Sequence, residues 1–125
     1  ELNISSIQLM CASNILEEKM KAASIYALTS ATECFPMVLL ESMACGLPIV
    51  SYDCPHGPRN IITNNKDGIL VEADNISNFA DALAYLIENK DKRKLMEVAS
   101  LKNIECFNEN NIMQQWVELF NETAQ

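Results

Sequence analysis

The chain has 125 residues, of which 49% are hydrophobic, and a formal net charge of −8. This length supports one packed domain but not two lobes with a cleft between them. No apolar run approaches the roughly 20 residues that a membrane span needs, and the acidic balance argues against non-specific binding to nucleic acid, which requires a basic surface.

The cysteine content indicates a reducing compartment. The five cysteines form no C-x-x-C pair and are odd in number, and the single histidine, His56, removes the usual zinc partners. We interpret the cysteines as reduced thiols in a cytoplasmic protein, four of them as core or near-core side chains. Location at the inner face of the membrane is the alternative.

The first elements alternate a short apolar run with a helical pattern. Residues 7–10 are predicted as a strand, and residues 14–23 as a helix that begins with a capping pair of Asn14 and Glu17. The apolar run 25–28 is predicted as a second strand.

The middle of the chain repeats this alternation. A helix is predicted between Pro36, which suits a first helical turn, and Gly46, which suits the end of a helix. Residues 48–52 are predicted as a third strand. After a loop rich in proline and glycine, a short helix is predicted over 59–63.

The last part of the chain is mostly helical. Residues 69–71 are predicted as a fourth strand, and helices are predicted from about 91 to 106 and from 111 to 120. Between the fourth strand and the helix that begins at about 91, a further helix is predicted. Its one apolar face is formed by Ile76, Phe79, Ala80, Leu83, Ala84 and Ile87.

Strand–helix alternation with short connections predicts the fold class. It indicates an α/β fold, in which helices cover both faces of a parallel sheet. In such sheets, ligands bind beyond the carboxyl ends of the strands. The loops that follow Leu28 and Tyr52 are therefore the candidate binding loops.

Two carboxylates flank the predicted start of the helix at Pro36. Glu33 precedes the helix and Glu41 lies inside it, roughly 7–8 Å further along the axis at 1.5 Å per residue. The free amides of the first turn lie between them and, with the helix dipole, form an anion site. A diphosphate with a hydroxyl-rich sugar ring at each end fits this layout.

By spacing alone, two glutamates near a helix start are more often exposed surface residues whose negative charge suits the positive end of the helix dipole. His56 and Arg59 lie beyond a strand end, where they either decorate a solvent loop or meet a ligand. Arg59 is the better candidate for contact with a phosphate or an acidic acceptor. We interpret Trp116 as a packing residue.

The segment 29–50 carries the most specific signal. Its leading Ser30, its Phe35-Pro36 pair, its run Glu-Ser-Met-Ala-x-Gly-x-Pro over 41–48 and the strand that follows resemble the E-x7-E signature of the retaining group 1 glycosyltransferases. The Gly-Pro loop at 57–62, the Asp-Gly strand at 67–71 and the last helices are also similar to that family, so the resemblance covers nearly the whole chain.

The resemblance implies a Rossmann-like, partial C-terminal domain of the two-domain GT-B architecture. Residues 1–125 would form a nucleotide-sugar-binding domain that is incomplete on its N-terminal side. The family's domain has six parallel strands, of which the four here correspond to the third to the sixth. The N-terminal acceptor-binding domain would be missing.

The resemblance also implies the roles of individual residues. Glu33 would be the catalytic residue that contacts the hydroxyls of the transferred sugar, and Glu41 would contact the ribose. The family most often has glycine where this chain has Cys34, which leaves the identity of the donor sugar open. The donor-binding residues would be Ser30, Cys34, Phe35, Pro36, Met37, Val38, Glu41 and Arg59.

The implied reaction is transfer of a sugar from a nucleotide-diphosphate donor to a carbohydrate or lipid-linked acceptor, with retained configuration. The leaving phosphate assists front-face attack, so no protein nucleophile is required. No cofactor or metal is expected, because the chain has no Asp-x-Asp pair and a helix terminus can hold the diphosphate.

Two other functions remain. The chain could be a non-catalytic nucleotide-sugar-binding half that needs a partner chain. A sugar-nucleotide epimerase is disfavoured, because epimerases lack the Glu-Ser-Met-Ala run. We expect the 125-residue piece to be inactive alone and to bind the donor weakly. It would either self-associate, through an open sheet edge at 7–10 and through Ile112, Trp116 or Phe120, or be a truncated part of a longer chain.

Overall fold

The computed structural model describes residues 6–12 and 14–123. Three parallel strands form one sheet in chain order: β1 (Tyr26–Leu28), β2 (Ile49–Asp53) and β3 (Gly68–Glu72). The central strand β2 is buried from Ile49 to Tyr52, as expected for a parallel strand covered on both faces.

Six α-helices and one 3₁₀ helix accompany the sheet in the described residues. Their bounds are α1 (Leu16–Ala22), α2 (Met37–Ala44), α3 (Pro58–Ile61), α4 (Ile76–Glu88), α5 (Lys90–Asn103), the 3₁₀ helix η1 (Ile104–Phe107) and α6 (Glu109–Thr123).

Helices cover both faces of the sheet, which confirms the predicted α/β class. Because side chains alternate along a strand, Val50 and Tyr52 enter one core with α4 and α5, while Ile49 enters a second core with α2 and α3. The first core also contains Val71, Phe79, Leu86 and Met96, and the second contains Leu39, Met43, Ile61 and Ile62.

The predicted strand at 7–10 is wrong. These residues adopt no strand, and Leu9 is 93% exposed. In the part of the chain that the structure describes, β1 pairs with β2 alone. A strand needs a hydrogen-bonding neighbour, and residues 7–10 have none. The predicted open edge at 7–10 is therefore wrong, and the two edge strands of the described sheet are β1 and β3.

The first two helices differ from prediction at their starts. Ile15 is the N-cap of α1, and no side chain caps this helix, so the predicted pairing of Asn14 with Glu17 is wrong. Glu17 instead pairs with Lys21 one turn later. Pro36 is the N-cap of α2 rather than its first residue.

The end of α2 follows the prediction. Gly46 adopts φ +72° directly after the last turn and donates its N–H to the Met43 carbonyl oxygen at 2.9 Å. A left-handed residue at this position is the usual end of a helix.

The apolar face predicted for α4 is only partly correct. Phe79 and Leu83 face the core, but Ala82 and Leu86 complete that face, whereas Ile76 is 76% exposed. Because α4 packs against β2, β3 and α5 together, the helix is rotated so that Leu86 reaches the core.

A buried carboxylate joins α5 to the turn before β3. Asp67 accepts hydrogen bonds from the Thr63 N–H at 2.8 Å and from Asn103 Nδ2 at 2.9 Å. Its backbone carbonyl accepts a further hydrogen bond from the Ser100 hydroxyl at 3.2 Å. Burial raises the pKa of Asp67, and these two N–H donors oppose the rise.

The cysteines are less buried than predicted. Cys54 is buried and Cys45 is half-buried, whereas Cys11, Cys34 and Cys106 are exposed, and all five are free thiols. Cys11 follows the segment that does not form a strand, and Cys106 lies on η1 at the surface, so neither of these two fills a core.

The C-terminal helix lies at the surface. No residue of α6 is buried, and Trp116 stacks on Phe120 with ring centroids 5.6 Å apart. Both side chains are exposed, as predicted, whereas Ile112 is half-buried. Within the described ranges, no helix is long and apolar enough to cross a membrane.

Candidate functional site

The loops after β1 and β2 contact each other at the carboxyl edge of the sheet. Gly57, in the second loop, has φ +98°. A Cβ built on it would lie 2.8 Å from Pro36 Cδ, 3.2 Å from Glu33 Cβ and 3.3 Å from the Cys34 carbonyl oxygen. Contacts under 3.0 Å are forbidden to real side chains, so the close approach of the two loops requires glycine here.

The start of α2 is a polar backbone surface next to this contact. Pro36 is its N-cap, no side chain caps it, and its first turn contains no acidic residue. The N–H groups of a first helical turn have no partner within the helix and carry the positive end of the dipole. An anionic ligand at this position would meet no competing carboxylate from that turn.

Along the chain, one of the two predicted carboxylates precedes that helix start and the other follows it. Glu33 is half-buried in the loop behind Gly57, and Glu41 is exposed on the second turn of α2. The pKa of the Tyr26 hydroxyl is raised first by burial, then by the charge of Glu41 and then by that of Glu33. Tyr26 is therefore within electrostatic reach of both glutamates.

Sequence reasoning did not single out Tyr26. The spacing along β1 could have identified it, because Tyr26 and Leu28 are two positions apart and therefore share a face of the sheet. Both side chains pack against the core that contains α2. The side chain of Tyr26 therefore lies on the α2 side of the sheet.

Glu41 separates two open grooves along α2. One groove, of about 460 Å³, runs toward α1 and is lined by Leu16, Met20 and Lys21. The other, of about 530 Å³, runs toward η1 and is lined by Leu40, Ile104 and Phe107, among other residues. Glu33 lines neither of these two grooves.

Phe35 connects the first loop to the C-terminal part of the chain. Its ring lies against that of Phe107 on η1, with centroids 6.3 Å apart. The other predicted donor-binding residues are arranged around the loop contact and the helix start: Ser30 and Val38 are half-buried, Pro36 is buried, and Cys34 and Met37 are exposed.

Arg59 has a partner that sequence reasoning did not identify. Its Nε and Nη2 donate to the two carboxylate oxygens of Asp53 at 2.9 and 3.0 Å. Asp53 ends β2, and the loop turns back so that α3 brings Arg59 beside it. Arg59 Nη1 donates no hydrogen bond in the described stretches of the chain, so this side of the guanidinium can meet a further acceptor. His56 is exposed, with φ +62°.

The described residues contain no group of three or more His, Cys, Asp or Glu side chains that is placed to hold a metal ion.

Comparison with known proteins identifies the relatives of this chain. The family model for group 1 glycosyl transferases matches residues 7–102. An exopolysaccharide phosphotransferase of Streptomyces coelicolor is 34% identical over 94% of this chain and 12% of its own length. A lipopolysaccharide 1,6-galactosyltransferase of Salmonella typhimurium is 38% identical over 62% of this chain and 22% of its own length.

The fold matches solved glycosyltransferase structures. A variant of S. aureus TarM, in complex with fondaparinux, alpha-GlcNAc-glycerol and UDP, superimposes with a TM-score of 0.79 at 27% identity. The match covers 87% of this chain and 22% of TarM. The chain thus spans only 12% to 22% of the length of these relatives.

Proposed function

This chain belongs to the group 1 glycosyl transferases, and we propose that it is the donor-binding, C-terminal part of a retaining enzyme with GT-B architecture. The enzyme transfers a sugar from a nucleotide-diphosphate donor to a polysaccharide or glycolipid acceptor. The named activity of the Salmonella relative and the UDP in the TarM complex support this proposal.

The contact of Gly57 with the Glu33–Pro36 loop is the observation that carries the proposal. It holds the loops of two neighbouring strands together at the carboxyl edge of a parallel sheet, where ligands of α/β folds bind. The uncapped start of α2 opens at the same place. A diphosphate at that helix start would therefore have Glu33 on one side and Glu41 on the other.

The proposed roles follow from charge and position. The first-turn amides of α2, at Met37 and Val38, hold phosphate oxygens. Glu33 accepts hydrogen bonds from the hydroxyls of the transferred sugar, and Glu41 accepts them from the ribose hydroxyls. Arg59 contributes its free Nη1 face to the diphosphate or to an acidic acceptor.

The proposed reaction breaks the bond between the anomeric carbon and the leaving phosphate oxygen. The acceptor hydroxyl attacks from the same face, its oxygen forms the new bond, and its proton passes to the departing phosphate. No protein nucleophile is needed. This chain positions the donor, and the helix start stabilises the negative charge that develops on the leaving group.

No metal takes part in this proposal. The helix start and Arg59 supply the positive potential that a cation would otherwise give to the diphosphate.

Titration calorimetry with a panel of UDP- and GDP-sugars tests donor binding. Inorganic phosphate is the control for simple anion binding. The proposal is contradicted if no nucleotide sugar in the panel binds better than phosphate. Product analysis of the full-length protein separates the possible reactions: sugar transfer releases nucleoside diphosphate, and sugar-phosphate transfer releases nucleoside monophosphate. Donor binding with neither product indicates a non-catalytic binding half.

A further inference from the structure

A third groove lies at the end of the sheet opposite to the candidate site. It has a volume of about 280 Å³ and includes Ser24 and Pro48, which lie just before β1 and β2. We call it the basic groove. Its charged lining consists of Lys21, Lys90, Arg93, Lys94 and Glu97.

The charge of this groove is opposite to that of the chain. Four of the nine basic side chains line it, but only one of the 17 acidic ones does. Interactions between exposed charges fade beyond about 8 Å at physiological salt. A ligand in the groove therefore meets mainly these cations rather than the net charge of −8.

Two of the four cations are free to bind. The side chains of Lys90 and Lys94 form no ion pair or hydrogen bond within 6–12 and 14–123, the stretches that the structure describes. Arg93 is held in place because its Nη1 donates to the carbonyl oxygens of Leu86 and Ile87 at the end of α4. Lys21 pairs with Glu17.

Apolar side chains continue this surface along the outward face of α5. Leu101 borders the groove, since its Cδ1 is 3.6 Å from a Cβ built on Gly46. At 100° per residue, Lys94, Val98 and Leu95 follow one another around the same side of the helix. Val98 is 68% exposed and Leu95 is 69% exposed.

We propose that the basic groove and the outward face of α5 form a docking surface for an anionic lipid bilayer. Lysines beside exposed aliphatic side chains are the combination that binds lipid phosphates and enters the headgroup region. A soluble phosphate would use the cations but not Leu95 and Val98. A single-stranded nucleic acid would favour aromatic side chains on which bases stack, and the groove has none among its lining residues.

This surface goes beyond sugar transfer and would orient the domain. The groove lies at the amino ends of β1 and β2, and the candidate donor site lies at their carboxyl ends. At about 3.3 Å per residue, the five residues of β2 separate the two by roughly 17 Å. The donor site of a docked domain faces away from the lipid.

Flotation of the chain with vesicles tests the proposal without any donor. We expect binding to vesicles that contain 30% phosphatidylglycerol and none to pure phosphatidylcholine. Each lysine near an anionic surface contributes about a fivefold change in partitioning. The double substitution Lys90→Gln with Lys94→Gln should therefore weaken binding by roughly 25-fold.

A matched control makes the same change in net charge elsewhere on the chain. Asn110→Glu with Gln115→Glu, both exposed on α6, changes the net charge by the same two units and should leave vesicle binding intact. Circular dichroism confirms that each variant is folded. Equal weakening by both pairs would show that only net charge matters and would overturn the proposal.

A second pair of substitutions tests the role of the aliphatic side chains. Leu95→Ser with Val98→Ser should weaken vesicle binding several-fold and leave pyrophosphate binding unchanged. If these substitutions have no effect, or if pyrophosphate or single-stranded DNA displaces the chain from vesicles at micromolar concentration, the site is one for soluble polyanions and the lipid assignment is wrong.

Discussion

Gly57 lies directly behind Glu33: a Cβ on the glycine would come within 3.2 Å of the glutamate Cβ. This contact joins the loops that follow β1 and β2, and it fixes the backbone from which Glu33 extends. A glycine in one loop thus determines the position of a carboxylate 24 residues earlier in the chain.

We expect Gly57→Ala to weaken donor binding and also to destabilise the fold by about 1–3 kcal/mol, because a non-glycine residue at φ +98° is strained. The added methyl would also push against Pro36 Cδ. Gly46→Ala is the matched control: it has φ +72° but lies at the far end of α2. Urea unfolding should show that both variants are less stable than the wild type. Donor calorimetry on the folded variants should show weaker binding for Gly57→Ala only.

We expect Glu41→Ala to weaken the binding of UDP itself, and Glu33→Ala to remove mainly the discrimination between donor sugars. Hydrogen bonds to a charged acceptor contribute about 1.5–3 kcal/mol. Titration of each variant with UDP and with two UDP-sugars measures both effects. Glu88→Ala, at an exposed helical glutamate away from the loops, is the control. Unchanged binding of every ligand by both variants would refute the assigned roles.

We expect substitutions of the two members of the Arg59–Asp53 pair to have opposite effects on anion binding. The pair is largely exposed, so its contribution to stability is at most about 1 kcal/mol. Arg59→Gln should weaken donor binding, because a cation is lost. Asp53→Asn should strengthen it, because the competing carboxylate is neutralised. Donor affinities measured at two salt concentrations test this expectation. An equal loss of donor affinity in both variants would show that the pair has a structural role alone.

We expect Asp67 to make the fold less stable as pH rises. Burial raises its pKa in the folded state above the ordinary value of 3.8, so the folded protein holds this proton more tightly than the unfolded chain does. The resulting stabilisation is fully present below pH 3.8, the ordinary pKa of the carboxyl in the unfolded chain. It is lost as pH rises through the pKa of the folded state.

Comparison with Asp67→Asn isolates this contribution, because the asparagine does not titrate. The difference in unfolding free energy, wild type minus variant, should fall as pH increases from 3 to 7. A difference that grows over this range would show that the hydrogen bonds from Thr63 and Asn103 outweigh burial.

We expect EDTA to leave donor binding unchanged, because backbone amides and Arg59 hold the diphosphate. Calorimetry with UDP-sugar in EDTA and in magnesium measures the dependence directly. A strict requirement for magnesium would contradict this account of the helix start.

The amino-acid sequence alone determined the alternation of strands and helices and the place of the candidate loops. These features are local: apolar periodicity distinguishes a strand from a helix, and Gly46 marks the end of α2 through its own backbone preference. The segment 29–50 also carried the family resemblance, and the match of the family model over residues 7–102 confirms the family.

Only the tertiary structure decided which groups meet. Residues 7–10 have the composition of a strand, but without a neighbouring strand they do not form one. The face that α4 buries depends on the joint packing of the sheet and α5. The contact of Gly57 with Glu33 and the pairing of Arg59 with Asp53 depend on how two loops approach. Periodicity along the chain contains no information about such distances, because packing between elements that are distant in sequence sets them.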